Sequence, residues 1–172
     1  MPKYYVAFID RPRHHMVIPV KAMLNPYNQQ AAFCAGMPQF FGGTDDHDQP
    51  PAQVLEVEVL QESRGTLELT SGSPRHFYTE GNMFFYYALE GQWTETGTPW
   101  GGPSNQEQQE MDRLVVIDLS RFVPGMTDAA LVTELARQSG SNLNTPGGMQ
   151  FQQSATRQAF IRLIRGFLAG TL

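Results

Sequence analysis

The order of two kinds of segment most constrains the fold of this chain. Runs with the composition of strands come first, and runs with helical spacing come last. Four runs are rich in β-branched and aromatic residues, as are strands that pack against a core. They are residues 4–9, 16–24, 82–89 and 114–119. Strands followed by helices predict an α+β fold, in which helices cover a sheet.

Two helices are predicted in the C-terminal part. Thr127 or Asp128 is suited to cap a helix that runs to Arg137, because short polar side chains accept hydrogen bonds from the free N–H groups of a first turn. Ser154 is suited to cap a second helix, whose apolar residues recur every three or four positions. The sequence contains no internal repeat and no convincing linker, so residues 1–172 are predicted to form one domain.

Charge and hydropathy narrow the class of partner. The chain carries a formal net charge of −5, whereas binding to a nucleic-acid polymer requires a basic surface that matches the phosphates. We therefore expect no nucleic-acid polymer as a partner, although a small phosphorylated ligand can bind through a cation. No run reaches the roughly 18 apolar residues of a membrane span, so no membrane association is expected. The single cysteine, Cys34, cannot form an internal disulfide, which makes the cytoplasm the expected compartment.

Composition alone leaves the segment over residues 52–62 open between helix and strand. Two prolines precede it and Gly65 follows it, which suits a helix because proline is tolerated in a first turn and glycine ends helices. Read as a strand, Leu55, Val57 and Val59 alternate with glutamates, as they would in a strand with one buried face.

Residues 43–65 resemble the box of the Nudix family, which hydrolyses nucleoside diphosphates linked to another group. The box has a glycine, five residues, a glutamate, seven residues, Arg-Glu, an aliphatic residue, any residue, Glu-Glu, any residue and a glycine. Counted from Gly43, Glu58 and Glu62 fall on glutamate positions. The final glycine falls on Arg64, and Gly65 is one position late. The order of strands, a Gly-Gly pair, a helix, further strands and a closing helix extends the resemblance over nearly the whole chain.

The resemblance implies a Nudix-like α/β/α sandwich with a mixed sheet and a helix over residues 52–62. On this helix Glu58 and Glu62 lie four residues apart and share a face, near a predicted turn at Gly42 and Gly43. In the family that face holds Mg²⁺ or Mn²⁺ against a diphosphate. The resemblance thus implies catalytic and metal-ligand roles for Glu58 and Glu62, and makes Gly43 a candidate binding residue.

Three box positions depart from the family pattern. Gln49 and Gln61 replace glutamates, and Val57 replaces the arginine. The neutral Gln61 is a candidate binding residue, but its site has lost negative charge on which affinity for a hard cation depends. We therefore expect weak Mg²⁺ binding. Acids of the long polar loop over residues 91–112, such as Glu107 and Glu110, can compensate for the loss.

The same loop contains two tryptophans, and loops of this length are usually functional or disordered. Trp93 and Trp100 are candidate binding residues that can form an aromatic rim. Such a rim suits the stacking of a nucleotide base and contact with a protein equally well.

Two functions follow from the altered box. Loss of three box residues favours a binding module, in which the cleft or the tryptophan loop engages a protein partner, such as a toxin that it neutralises or an enzyme that it regulates. This is the preferred function, because replacing a carboxylate by an amide removes both charge and basicity. The intact spacing supports the alternative, a divergent Mg²⁺-dependent hydrolase with a nucleotide-like ligand. Two glutamates four residues apart also occur on ordinary solvated helices, and a fold does not by itself choose between these functions.

Overall fold

The computed structural model describes residues 1–70 and 74–172, and this part of the chain contains eight strands and four α-helices. The strands are Lys3–Asp10 (β1), His15–Lys21 (β2), Phe41–Thr44 (β3), Leu67–Leu69 (β4), Arg75–Glu80 (β5), Met83–Leu89 (β6), Trp93–Glu95 (β7) and Met111–Asp118 (β8). The helices are Pro51–Glu62 (α1), Asp128–Ser139 (α2), Pro146–Gln152 (α3) and Ala155–Leu168 (α4). The predicted α+β class is confirmed, and the ambiguous segment is helical. The second predicted strand ends at Lys21 rather than at residue 24, and a shift in register between Val20 and Lys21 precedes its end.

A six-stranded mixed sheet forms the centre of the fold, in the order β5-β6-β1-β2-β8 with β3 also paired to β1. β1 runs parallel to β6 and antiparallel to β2 and β3. β2 and β3 pair with different parts of β1, since β2 pairs with residues 8–10 and β3 with residues 3–6. The sheet therefore forks where β2 leaves β1 and β3 replaces it.

Helices cover both faces of this sheet and bury two separate cores. α1 packs on one face through Leu55 and Val59, which belong to the smaller core. The other three helices cover the opposite face with a larger core that includes Leu135, Phe151 and Phe160. The predicted α/β/α arrangement is thus observed, with the two cores separated by the sheet.

The pair Gly42 and Gly43 lies in β3 and not in a tight turn, so the predicted turn is wrong. Gly42 pairs with Tyr5, and Gly43 pairs with Tyr4. A Cβ atom on Gly42 would overlap the carbonyl oxygen of Tyr4. Glycine is needed here because β3 approaches β1 closely.

The described residues contain no helix that is both long and apolar enough to cross a membrane.

Candidate functional site

A cleft of about 320 Å³ opens at the fork of the sheet. Its walls come from α1, the end of β2, β3 and the polar loop that precedes β8. Five carboxylates line it, and we call this set the acidic cluster: Asp46, Glu58, Glu62, Glu107 and Glu110. Gly43, Gln61 and the basic Lys21 line the same cleft. The fold therefore brings together the predicted helix acids and the two loop acids that lie far from them in sequence.

α1 places Glu58 and Glu62 against β3, as predicted from their spacing. Glu62 is 2% exposed, and its Oε1 accepts a hydrogen bond of 2.7 Å from the backbone N–H of Gly42. Glu58 lies over Gly43, where a Cβ atom would come within 2.7 Å of the Glu58 Oε1. Glycine at position 43 is therefore needed for a second reason, because the absence of a Cβ atom lets the Glu58 carboxylate approach the strand.

The loop acids reach the cleft from the opposite side. A short 3₁₀ turn spans Glu107–Gln109, and Glu110 follows it directly before β8. Glu110 is half-buried and lines the cleft together with Lys21, Tyr27 and Glu62. Burial raises the pKa of Glu110, while the charge of Lys21 and the neighbouring hydroxyl of Tyr27 act in the opposite direction.

Burial and crowding both disfavour negative charge on Glu58. Its pKa is raised to about 7, first by burial and then by the charges of Glu110, Glu107 and Asp46. Each of these three carboxylates belongs to the acidic cluster. A cleft with this potential favours a bound proton or a bound cation.

Two further buried groups of the cleft, Glu62 and Tyr5, also have raised pKa values. Burial and then the charge of Glu58 raise the pKa of Glu62 well above its ordinary value, against the effects of the Gly42 N–H and of Lys21. The hydroxyl of Tyr5 has its pKa raised to about 12 by burial and by the charges of Glu62 and Glu58.

The donor set of the cleft suits a hard divalent cation, although it is not arranged in advance. Carboxylate oxygens are the ligands that Mg²⁺ and Mn²⁺ prefer, and a cation in contact with them lowers their pKa values. Among residues 1–70 and 74–172, no three His, Cys, Asp or Glu side chains stand ready to hold a metal ion. Coordination therefore requires side chains to rotate, as the exposed Glu107 is free to do.

The residues at the three altered box positions lie in different environments. Gln61 is half-buried and lines the cleft, so its neutral amide stands among the acids. Val57 is 49% exposed and does not line the cleft. The backbone N–H of Gln49 donates to the carboxylate of the buried Asp45, which also accepts from the N–H of His47. Asp45 thus organises the turn over residues 45–49.

The two tryptophans do not form a common rim at the cleft. Trp93 stacks on Phe8 with ring centroids 5.1 Å apart, and its Nε1–H donates to the carbonyl of Ile9. It packs against the smaller core and borders a different, shallow concavity. Trp100 lies against the guanidinium of Arg64, with Cζ 4.2 Å from a ring centroid. Their predicted role in binding stays a prediction.

Sequence reasoning missed several residues of the cleft. Tyr5, Lys21 and Tyr27 line it, but no motif connects them with the box. Their approach depends on strand pairing at the fork, which local sequence does not reveal.

Comparison with known proteins adds little to this geometry. No family model and no curated protein matches the chain. A solved structure from work on MutT of the fish pathogen Aliivibrio salmonicida and of Vibrio cholerae is similar over 79% of this chain and 97% of its own, with 15% sequence identity and a TM-score of 0.45. The family resemblance continues to rest on the spacing of the box.

Proposed function

We propose that this protein is a divalent-cation-dependent hydrolase that cleaves a diphosphate bond in a small, nucleotide-like substrate. The observation that best supports the proposal is the acidic cluster, in which acids of α1 meet acids of the loop within one cleft. Glu107 and Glu110 replace the negative charge that is lost at Gln49 and Gln61. Charge compensation of this kind makes the altered box compatible with catalysis.

In this proposal Glu58, Glu62 and Glu110 hold Mg²⁺ or Mn²⁺. When bound, the cation supplies polarisation of the phosphoryl group and offsets its negative charge. Because the side chains must first rotate and give up protons, we expect weak affinity, with a Kd of about 10⁻⁴–10⁻³ M, as in weaker oxygen-ligand sites.

Other residues of the cleft take the remaining roles in the proposed reaction. Lys21, at the end of β2, binds and orients phosphate oxygens. Glu107 is exposed at the edge of the cleft, where a carboxylate oxygen can take a proton from the attacking water. The water oxygen forms a bond to phosphorus as the anhydride P–O bond breaks, and the leaving phosphate departs with the electron pair.

A release assay for phosphate and pyrophosphate tests this function. Nucleotide sugars, dinucleotides and oxidised nucleotides are offered to the purified protein with Mg²⁺, with Mn²⁺ and with a chelator. We expect turnover of at least one substrate class that requires the cation. Absence of turnover over the whole set, with a folded protein, would count against the hydrolase.

A binding module is a second candidate, and a different observation favours it. The segment after β2 exposes four large apolar side chains beside the cleft: Met23 (62%), Leu24 (51%), Tyr27 (55%) and Phe33 (62%). Adjacent exposed apolar side chains suit contact with a protein. The partner would be a protein such as a toxin that is neutralised or an enzyme that is regulated.

The box variant Gln61→Glu, alone and with Val57→Arg, separates the two candidates. The hydrolase should gain turnover when a carboxylate returns to the cleft, whereas a binding module should show none. Hydrolysis by the wild type at ordinary enzyme rates, of about 1 per second or more, would exclude a purely binding role. For a purified candidate partner, calorimetry with wild type and with Phe33→Ser is decisive, since the module requires the affinity to fall.

A further inference from the structure

We propose that Arg64 is a positioning residue that holds the loop acids beside the helix acids. It thereby assembles the acidic cluster from two distant parts of the chain. The inference deepens the proposed function and rests on it for the use of the cleft, while the contacts of Arg64 stand independently.

The guanidinium of Arg64 binds the loop at three backbone carbonyls. Its Nη1 donates to Gly101 at 2.8 Å, its Nε to Gln108 at 3.0 Å and its Nη2 to Met111 at 3.0 Å. The last two carbonyls lie on either side of Glu110 in sequence. One side chain therefore fixes the backbone that carries a cleft acid.

The ring of Trp100 completes this attachment. The Arg64 Cζ lies 4.2 Å from a ring centroid of Trp100, a distance at which a cation is attracted by an aromatic face. A planar guanidinium can donate along its edge and stack on its face at the same time, which a lysine ammonium cannot do. The geometry is therefore specific to arginine.

The backbone of Arg64 gives a second, independent indication. Its φ is +53°, and Gly65 has a φ of +76°. A non-glycine residue in this left-handed region is strained, and such strain persists only where the surroundings compensate for it. The Nudix box has glycine at the position of Arg64. The loop contacts of Arg64, which a glycine could not make, compensate for the strain of its backbone.

The position of Arg64 links both halves of the acidic cluster. α1 ends at Glu62, and Arg64 follows two residues later. The same short segment therefore carries the buried carboxyl of Glu62 and the side chain that fixes the loop. Glu62 and Glu110, which these two segments carry, line the same cleft.

Hydrogen exchange of the loop amides tests the attachment without any cation. We compare the wild type with Arg64→Gly, which relieves the backbone strain, and with Arg64→Lys, which keeps the charge. Amides of residues 101–111 should exchange faster in both variants, while amides of the sheet keep their protection. Arg137→Lys is the matched control, because Arg137 pairs with Glu134 on α2.

Terbium luminescence tests the consequence for the cation site. Tb³⁺ is a hard, oxygen-binding probe, and its lifetimes in H₂O and D₂O count the water molecules on the bound ion. Loss of the residues that orient metal ligands typically weakens metal affinity about 10–100-fold. We expect a fall of that size in Arg64→Gly, with at least one additional bound water. A merely structural role would leave the hydration number unchanged.

Each outcome decides the proposal. Unchanged exchange over residues 101–111 in both Arg64 variants would overturn it, and so would faster exchange with unaltered Tb³⁺ affinity and hydration. If the wild type binds no Tb³⁺ and hydrolyses nothing, the proposed function fails. Hydrogen exchange then decides alone whether Arg64 fixes the loop.

Discussion

The helices α1 and α4 cover opposite faces of one sheet and differ in how they are stabilised. The hydroxyl of Ser154 caps α4 by accepting from the N–H of Arg157, and the buried face of the helix includes Phe160 and Ile164. α1 follows Pro50, has no side-chain cap, and carries neither an acid in its first turn nor a base in its last.

The two faces of the sheet therefore contribute differently to the stability of the molecule. Unlike α4, α1 buries a carboxyl group, which costs free energy unless the group is protonated or bound. The larger core, on the face of α4, offsets that cost. Strained or charged sites commonly reduce stability in exchange for function, and here the two are divided between the faces of the sheet.

The largest effect is expected in the core under α4. Phe160 is fully buried, and its ring lies 4.4 Å from that of Phe40 between centroids. Phe160→Ala should lower the free energy of unfolding by about 3–5 kcal/mol because it leaves a cavity. Urea denaturation measures this loss. Met149→Ala, at a site that is 61% exposed, is the control and should change stability little.

On α1 the expected loss is in activity. Glu62→Gln should lower cation-dependent turnover about 10²–10³-fold, a size typical of losing one group that stabilises a transition state. Initial rates at saturating Mg²⁺ measure it. Glu56→Gln is the matched control, since Glu56 is exposed on the same helix. Equal losses in the two variants would show that the helix matters and the cleft does not.

A change of pH should affect stability through the face of the sheet that α1 covers, because the carboxyl groups of the cleft lie there. The pKa of Glu58 is raised to about 7 in the folded protein, above the ordinary value of about 4.3. For an acid with a raised pKa, stability is greatest at low pH and falls as the pH rises through this interval. With chelator present, we expect a loss of about 1–3 kcal/mol between pH 4.5 and pH 7.5, discounted for partial exposure.

Glu58→Gln should remove part of this pH dependence, while Glu62 and Glu110, whose pKa values are also raised, keep the rest. Urea titrations at several pH values measure it, with Glu56→Gln again as the control. If stability instead rose with pH over the same interval, the electrostatic description of the cleft would be wrong.

The smallest effect is expected at the cap of α4. Ser154→Ala removes the hydrogen bond from the N–H of Arg157 and should cost about 1 kcal/mol. Thermal unfolding is sensitive enough to detect it, and the exposed Ser104→Ala serves as the control. The activity should not change, because the cap lies on the stabilising face.

Much of the fold was predictable because its signals are local. Thr127 and Ser154 cap the predicted helices, and the four predicted strand segments form β1, β2, β6 and β8. The seven-residue α3 was not predicted, because Gly147 and Gly148 weaken helical propensity. The sequence does contain one signal for the start of α3, because Thr145 is suited to cap a helix and Pro146 is tolerated in its first turn.

The cleft was only partly predictable. The spacing of Glu58 and Glu62 indicated a shared helix face, and Glu107 and Glu110 were recognised as acids that can compensate. Their meeting depends on Arg64, whose side chain reaches a loop about 40 residues away in sequence. Contacts between distant segments leave no periodic pattern in a single sequence, so the sequence marks Arg64 only as a box position that lacks its glycine.

The position of β1 has a consequence for the order in which the molecule can form. This strand pairs with three others. Its parallel pairing with β6 joins Lys3 to Met83, so it can form only after the chain has been synthesised beyond residue 83. Proteins dominated by such distant pairings fold in milliseconds to seconds, since the chain entropy is lost before the contacts form. During synthesis, the apolar middle of β1 leaves the ribosome long before β6 exists to cover its edge. The central strand of the finished sheet is thus the segment that is exposed to aggregation for the longest time.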